Sequence, residues 1–170
     1  MNGETPDSRV VDRADRTIRV AVVRLRENED LPYPTYQTPG SAGADLHAAI
    51  REPLTVRGGE IHLIPTGVAF AIPELWEGQI RARSGWAVKH GLALVNAPGT
   101  IDSDYRGEIK VVVTCLKNEP MTIKRGDRIA QIVFTPVGRA IFDHVASLDG
   151  SVRGAGGFGH TGTSNENPDC

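Results

Sequence analysis

Short runs rich in valine and isoleucine recur along the chain from Ile18 onward, and turn-forming residues separate them. The turn signals include Pro39-Gly40 and Pro98-Gly99. Runs of this length at this spacing are typical of a β-sandwich or barrel. The runs that we predict as strands are IRVAVVRL, ADLHAAI, EIHLIP, GVAFAI, GQIRAR, LALVN, GEIKVVVTCL, MTIK and RIAQIVFTPV. The pattern therefore predicts an all-β fold.

Several of these runs are apolar on both alternating faces, as in VVVTCL near the middle of the chain. A strand of this kind is covered on both sides, whereas a strand with one wet face alternates apolar and polar residues. We therefore expect either a second sheet or another subunit to cover these strands.

One segment, SGWAVKHG, breaks the strand pattern. Ser84 is a residue type suited to N-capping, Lys89 and His90 would lie in a last helical turn, and Gly91 can adopt the left-handed C-cap conformation. The segment predicts a two-turn helix. A further turn of helix is expected at 73–76.

The stretch RGAGGFGHTG, residues 153–162, contains the pattern G-x-G-x-x-G twice. A dinucleotide-binding fingerprint needs a preceding strand, a following helix and an acidic residue about 20 positions on, and only TSNENPDC follows here. A flexible tail is the simplest alternative. Phe158 argues against it, because disordered linkers are poor in aromatic residues.

A chain of 170 residues is expected to form one domain with a sizeable core. We expect a flexible extension at 1–17, a β domain at 18–150, a glycine-rich arm at 151–162 and a disordered tail at 163–170. A net charge of -2 and a pI near 6.2 argue against nucleic-acid binding. The chain has no apolar run of membrane-spanning length, and Cys115 and Cys170 do not resemble a disulfide framework, so we expect no membrane association and a cytoplasmic location.

Two polar constellations could carry chemistry. Arg83-Ser84, at the start of the predicted helix, could hold an anion, although Ser84 as a plain N-cap explains the same residues. Asp102 and Asp104 stand between two strands, where a polar loop with self-capping carboxylates is the ordinary interpretation and a metal-binding D-x-D is a weak competitor. Asp45 is likewise expected to be a capping residue at a strand edge.

Taken together, five segments in order along the chain resemble the five sequence motifs of the dUTPases, enzymes that hydrolyse deoxyuridine triphosphate to the monophosphate and pyrophosphate. The resemblance covers about residues 41–162. The segments are SAGADLHA, RSGWAVKHGL, GTIDSDYRGEIKV, GDRIAQIVF and RGAGGFGHTG.

The resemblance implies a distorted jelly-roll-like β-barrel or sandwich with one short helix. It also implies a homotrimer whose active sites lie at subunit boundaries, with dUTP as substrate. The glycine-rich arm would close over the nucleotide, commonly on a neighbouring subunit. That role would account for the composition of residues 153–162.

Site residues can be carried over position by position from the same resemblance. Asp102 would activate a water for attack on the α-phosphorus, and Mg²⁺ would be held mainly by the triphosphate, with Asp45 acting on it only through water. Tyr105 would pack beneath the deoxyribose, and Asn96 and its neighbours would bind the uracil edge. The remaining substrate-binding residues would be Arg83, Ser84, Gly85, Ile101, Gln131, Arg153, Phe158, Gly159 and Thr161.

The sequence departs from the usual family pattern at Ala82, where a proline is common, and at Trp86, where a smaller aliphatic residue is common. Neither change removes a chemical group. Two other functions remain open at this point: a dCTP deaminase, which resembles dUTPases in fold, and a catalytically silent nucleotide sensor or partner-binding module. The presence of Asp102 and Phe158 favours an active dUTPase over both.

Overall fold

The computed structural model describes residues 17–25 and 27–157. Within these residues the chain is built from β-strands with one short helix. The elements in chain order are β1 (Ala21–Arg24), β2 (Thr35–Tyr36), β3 (Ala44–His47), β4 (Leu54–Val56), β5 (Ile61–Pro65), β6 (Val68–Ala71), β7 (Trp76–Ala82), α1 (Ser84–His90), β8 (Leu92–Leu94), β9 (Gly99–Ile101), β10 (Lys110–Cys115), β11 (Met121–Ile123) and β12 (Arg128–Pro136). The all-β prediction is confirmed.

Each of the nine predicted runs contains an observed strand, but three short strands were missed. These are β2, β4 and β9, of two or three residues each. Such pieces are too short to show an alternating pattern, and only their pairing partners make them strands. Of the three strands that were not predicted, β9 matters most, because the loop that contains Asp102 begins at its end.

The strands form four antiparallel sheets, of which the largest positions the site. That sheet has the order β2-β3-β12-β7-β9, and a second sheet has the order β5-β10-β8. Strand β7 lies between β12 and β9, with Gln131 opposite Arg81 on one side and Ile101 opposite Gly78 on the other. Two smaller sheets pair β1 with β6 and β4 with β11.

The core lies between these sheets and is almost entirely aliphatic. Leu46, Ile64, Ile80, Val113 and Ile132 come from five different strands and are each at most 2% exposed. Burying such side chains is the main favourable term in folding, at about 1.5–3 kcal/mol each. Cys115 is also buried and unpaired, as a structural role predicts.

The helix prediction is confirmed in its bounds and C-cap but was wrong in its N-cap. Gly91 adopts the left-handed conformation (φ 71°) and closes the helix, whereas the residue before the first helical turn is Arg83 and no side chain caps the helix start. Ser84 is therefore the first helical residue. The helical turn expected at 73–76 was also wrong: it is a tight turn closed by a hydrogen bond from Trp76 N to Pro73 O.

The chain divides into two compact units, residues 1–138 and 139–170. In the described part of the second unit no regular strand or helix forms, and Ile141, Phe142 and Leu148 are 92%, 82% and 88% exposed. No helix among the described residues is long and apolar enough to cross a membrane. Three predicted site residues, Phe158, Gly159 and Thr161, lie outside the described residues.

Candidate active site

A buried carboxylate holds two arginines at one end of the large sheet. Asp45, in the middle of β3, is 4% exposed. Its Oδ1 lies 3.0 Å from Arg83 Nε and its Oδ2 accepts a hydrogen bond from Arg128 Nη1 at 3.1 Å. Arg83 Nη1 also donates to the Arg128 backbone carbonyl at 3.0 Å. Asp45 is therefore an anchor for two guanidinium groups, and the expectation that it caps a strand edge was wrong.

Gln131 lies beside this anchor on the same face of the sheet. Its Cα pairs with that of Asp45 in the β3–β12 register, and its Nε2 donates to the Ala82 carbonyl at 3.2 Å. Gly43 makes room for it, since a side chain at position 43 would overlap the Gln131 side chain. Three predicted site residues, Asp45, Arg83 and Gln131, are thus brought together.

His47 borders the same cluster and does not add to its charge. Burial lowers the pKa of His47 below its ordinary value, the Asp45 carboxylate opposes that shift, and Arg128 and Arg83 reinforce it. The imidazole is therefore neutral at pH 7. The positive charge of the cluster comes from the two arginines.

The start of α1 is open beside Arg83. No acidic residue lies in the first turn, and no side chain caps the free backbone N–H groups there. Ser84 and Gly85 are exposed, and a Cβ on Gly85 would meet no atom within 4 Å. Free amides next to an arginine favour an anion such as phosphate.

The second group of predicted residues lies in the loop after β9. Tyr105 N donates to the Asp102 carbonyl at 3.2 Å, and Tyr105 Oη donates to the Glu108 carbonyl at 3.0 Å. Arg106 Nη1 donates to the Ser103 carbonyl at 2.6 Å. A side chain at position 107 would overlap the Tyr105 ring, so Gly107 is what allows this packing.

These bonds leave the Asp102 side chain unengaged. Asp102 is exposed, and no hydrogen bond or ion pair to its carboxylate occurs within the described residues, so the self-capping alternative does not hold. The carboxylate borders a pocket of about 440 Å³. The pocket is lined by Leu63, Thr100, Ile101, Asp102, Tyr105, Glu108 and Lys110.

Asn96 lies in the turn before β9, and Ile101 is the last residue of β9. The Asn96 amide lies against Gly99, where a Cβ would come within 3.2 Å of Asn96 Nδ2. Ile101 packs against the core and contributes to the pocket wall. Both residues therefore lie on the segment that leads into Asp102.

Arg153 lies in the second unit, where a run of turns orders the described part of the glycine-rich arm. Its Nε donates to the Gly156 carbonyl at 2.8 Å, and Gly154, at a φ of 53°, donates its N–H to Ser151 Oγ at 3.1 Å. Residue 154 needs a positive φ that glycine adopts without strain. The Arg153 side chain remains exposed.

Asp102 and Arg83 stand at opposite ends of β7. Ile101 pairs with Gly78 near the start of that strand, and Asp102 continues away from Arg83 because β9 runs antiparallel to β7. Arg83 follows the last residue of β7, five residues beyond Gly78, which is roughly 16 Å at about 3.3 Å per residue. One chain therefore carries two separate half-sites, a carboxylate pocket and an arginine cluster.

Arg128 is a site residue that our sequence analysis missed. Arg128 belongs to GDRIAQIVF, one of the five dUTPase-like segments, but Gln131 is the only residue of that segment that we predicted to bind substrate. The alternation of β12 does not identify the Arg128 partner, because Asp45 is 83 residues away in sequence. An aspartate in one apolar strand and an arginine in another can indicate such an ion pair. This signal is useful only when the order of the strands in the sheet is known.

The described residues contain no group of three or more histidine, cysteine, aspartate or glutamate side chains that could hold a metal ion. Asp45 is committed to Arg83 and Arg128. This donor set fits a hard cation only if a ligand such as a triphosphate supplies most of the oxygens.

Comparison with known proteins identifies the family. A family model described as dUTPase matches residues 29–162. Deoxyuridine 5'-triphosphate nucleotidohydrolase of Desulfotalea psychrophila is 54% identical over 137 residues, covering 81% of this chain and 91% of its relative. The Rickettsia felis protein of the same name is 49% identical over 146 residues, covering 86% of this chain and 99% of its relative.

Solved structures agree with the sequence relatives. The dUTPase of Staphylococcus bacteriophage 80alpha, solved with dUpNHpp, superposes with a TM-score of 0.76 at 27% identity and covers 86% of this chain and 100% of its own. Its G164S mutant with dUpNHpp gives the same TM-score at 26% identity. The predicted jelly-roll-like class is that of these structures.

Proposed function

Because this chain belongs to the dUTPase family and is a dUTP diphosphatase, we propose that it converts dUTP to dUMP and pyrophosphate by attack of an Asp102-activated water on the α-phosphorus. The observation that carries the proposal is the free Asp102 carboxylate on the wall of the 440 Å³ pocket. This reaction would limit uracil incorporation into DNA and supply dUMP.

Asp102 is suited to act as a general base. An exposed carboxylate without a protein partner in the described residues is free to accept a proton from a bound water. The hydrogen bonds of Tyr105 and Arg106 hold the loop backbone, so the position of the carboxylate is defined while its oxygens stay available. This arrangement would orient the water for in-line attack.

The arginine cluster would bind the phosphates of the substrate. Arg83 retains a guanidinium nitrogen, Nη2, that no described residue engages, and it stands beside the open amides of Ser84 and Gly85. Asp45 holds Arg83 in place, which reduces the entropy lost when a phosphate binds. Gln131 would complete this half of the site.

Magnesium would be held mainly by the triphosphate and would neutralise charge on the pyrophosphate leaving group. The chain would contribute to its position only through water, since Asp45 is buried and already holds two arginines. This limited contribution agrees with the lack of a ligand cluster among the described residues.

The base and the sugar would be held by the half of the site that contains Asp102. Tyr105 is 44% exposed, and its ring is fixed through its hydroxyl, so one face would pack beneath the deoxyribose and exclude a 2′-hydroxyl. Asn96 and neighbouring backbone groups would pair with the uracil edge. Cytosine would leave those polar groups unpaired, which is a strong penalty.

We further propose that a second copy of the chain covers the outer face of the β5-β10-β8 sheet. Ile61 and Leu63 of β5 and Val95, which directly follows β8, are 62%, 57% and 49% exposed on this face, although neighbouring large apolar side chains are normally covered. Leu63 also lines the Asp102 pocket. A copy seated on this face would therefore border the pocket, as the predicted homotrimer with shared active sites requires.

The separation of the two half-sites supports the same assembly. Asp102 must reach the α-phosphorus while Arg83 contacts phosphates of the same nucleotide, and the backbone positions of these two residues in one chain are separated by roughly 16 Å along β7. An active site would then combine Asp102 of one subunit with Arg83 of another.

Complementation between inactive variants tests this assembly. Asp102→Asn and Arg83→Met chains are each expected to be nearly inactive alone. When they are co-expressed with different affinity tags and purified through both, activity should return, because some sites combine Asp102 and Arg83 from unaltered halves. The measurement is pyrophosphate release from dUTP by the mixed oligomers.

A mixture of Asp102→Asn with the double variant Asp102→Asn, Arg83→Met is the matched control, since it cannot form an intact site. Activity in the first mixture no higher than in this control would exclude a site shared between subunits in the proposed way. Light scattering on the unaltered protein would establish whether three chains associate.

The proposed reaction itself is tested by product analysis. The protein is incubated with Mg²⁺ and, separately, with dUTP, dCTP, dTTP or UTP, and pyrophosphate, ammonia and nucleoside monophosphate are assayed. We expect pyrophosphate and dUMP from dUTP alone. Ammonia from dCTP would instead indicate a deaminase, and no product from any of the four would indicate a binding role.

A further inference from the structure

A lysine outside the dUTPase-like motifs closes the far end of the helix that begins at the phosphate half-site. Lys117 follows β10, and its Nζ donates hydrogen bonds to the carbonyls of Val88 at 3.0 Å and Lys89 at 2.9 Å. Both carbonyls belong to the last turn of α1, where backbone acceptors have no partner within the helix. A cation is also favoured there by the helix dipole.

The backbone around Lys117 makes the same attachment. Leu116 N donates to the Gly91 carbonyl at 2.8 Å. Gly91 has a φ of 71°, and a side chain there would come within 2.7 Å of Lys117 Cγ and 3.0 Å of Lys117 N. Glycine at position 91 therefore allows both the helix end and the passage of Lys117 across it.

Little else fixes α1. The helix has seven residues, and none of them is buried. Trp86 packs partly against the core and lies against the His90 ring, with a centroid distance of 4.7 Å. A helix this short is not stable by itself in water. Its orientation therefore depends on the Trp86 contact and on its two ends, namely the continuation from β7 and the Lys117 attachment.

We propose that Lys117 is a positioning residue for substrate binding, acting through α1 on the groups that receive the phosphates. This inference rests on the proposed function of Arg83, Ser84 and Gly85. Asp45 holds the Arg83 side chain directly, whereas Ser84 and Gly85 belong to the helix and move with it. Without the Lys117 ammonium the helix end frays, and the phosphate-binding groups lose their fixed geometry.

The test compares three variants in the full-length protein. Lys117→Met removes the ammonium and keeps most of the stem, Lys117→Arg keeps a cation with several donors, and Lys89→Met removes one charge from the same helix end. The last is a matched control, because Lys89 Nζ makes no hydrogen bond within the described residues. Lys117→Gln serves as a second neutral variant if Lys117→Met does not fold.

We expect Lys117→Met to raise KM for dUTP about 3- to 10-fold with kcat changed less than about 2-fold, since binding of phosphate is lost in ground and transition state alike. Lys117→Arg should restore most of the affinity, and Lys89→Met should behave as the unaltered protein. Hydrogen exchange at the amides of 87–91 should accelerate only in the neutral Lys117 variants.

An unchanged KM in both neutral Lys117 variants would overturn the inference, and so would an equal rise in KM in Lys89→Met, which would reduce the effect to charge alone. Failure of the proposed function would look different. Because Arg83→Met is expected to be nearly inactive, its affinity for dUTP is measured by equilibrium binding. If Arg83→Met left this affinity unchanged, the phosphate-binding assignment would be wrong and the inference would fall with it. If Arg83→Met weakened dUTP binding while Lys117→Met did not raise KM, only the role of Lys117 would be excluded.

Discussion

Replacing Asp102 with asparagine is expected to lower kcat for dUTP by at least about 100-fold, and by up to about 10⁴-fold, while nucleotide binding is retained. The amide has the size of the carboxylate but cannot accept the proton of the attacking water. Because Asp102 is exposed and unpaired within the described residues, the change should leave the fold intact. Steady-state kinetics and dUTP binding under non-turnover conditions measure the two effects separately.

Asp104→Asn is the matched control for this prediction. Asp104 lies in the same loop, two residues after Asp102, and is also exposed. It does not line the 440 Å³ pocket. We expect Asp104→Asn to retain near-normal kcat. Activity of Asp102→Asn close to the unaltered level, or equal losses in both variants, would remove Asp102 from the role of general base.

Ending the chain before Arg153 is the change with the second-largest expected effect. Turnover should fall at least about 100-fold, because we expect Arg153 to contact the γ-phosphate and the arm to close over the nucleotide, and the truncation removes both. The Arg153 side chain is exposed and, within the described residues, bonds only to the neighbouring Gly156 carbonyl, so it is available to a phosphate. Pyrophosphate release under saturating dUTP provides the measurement.

A chain ending after Gly162 controls for the loss of length alone. The removed residues, 163–170, lie outside the dUTPase-like motifs, and we expect normal turnover without them. The thermal unfolding temperature should be similar in both truncated proteins and in the full chain, since the core lies in the first unit. Unchanged kinetics without Arg153 would make the arm a passive extension.

The main elements of the fold could be predicted because their signals are local. Strand β10 is predicted by a continuous apolar run, and Gly91 marks a helix end because few other residues adopt its conformation. Strand β9 could not be predicted, since three residues show no period and are held only by pairing with β7. The N-cap assignment failed for a related reason: Arg83 is held in place by Asp45, a contact from another strand.

The candidate site divides in the same way. The chain by itself determined which chemical groups are present, because the motif that contains Asp102 and the one that contains Arg83 are continuous stretches of sequence. Only the tertiary structure decided how these groups are arranged. It places Asp45 between two arginines and Lys117 across the end of α1. It also places Asp102 near the start of β7, whereas Arg83 follows the end of that strand. The physical reason is that strand pairing joins residues far apart in sequence, and side-chain alternation sets which face a residue occupies but not which strand lies beside it.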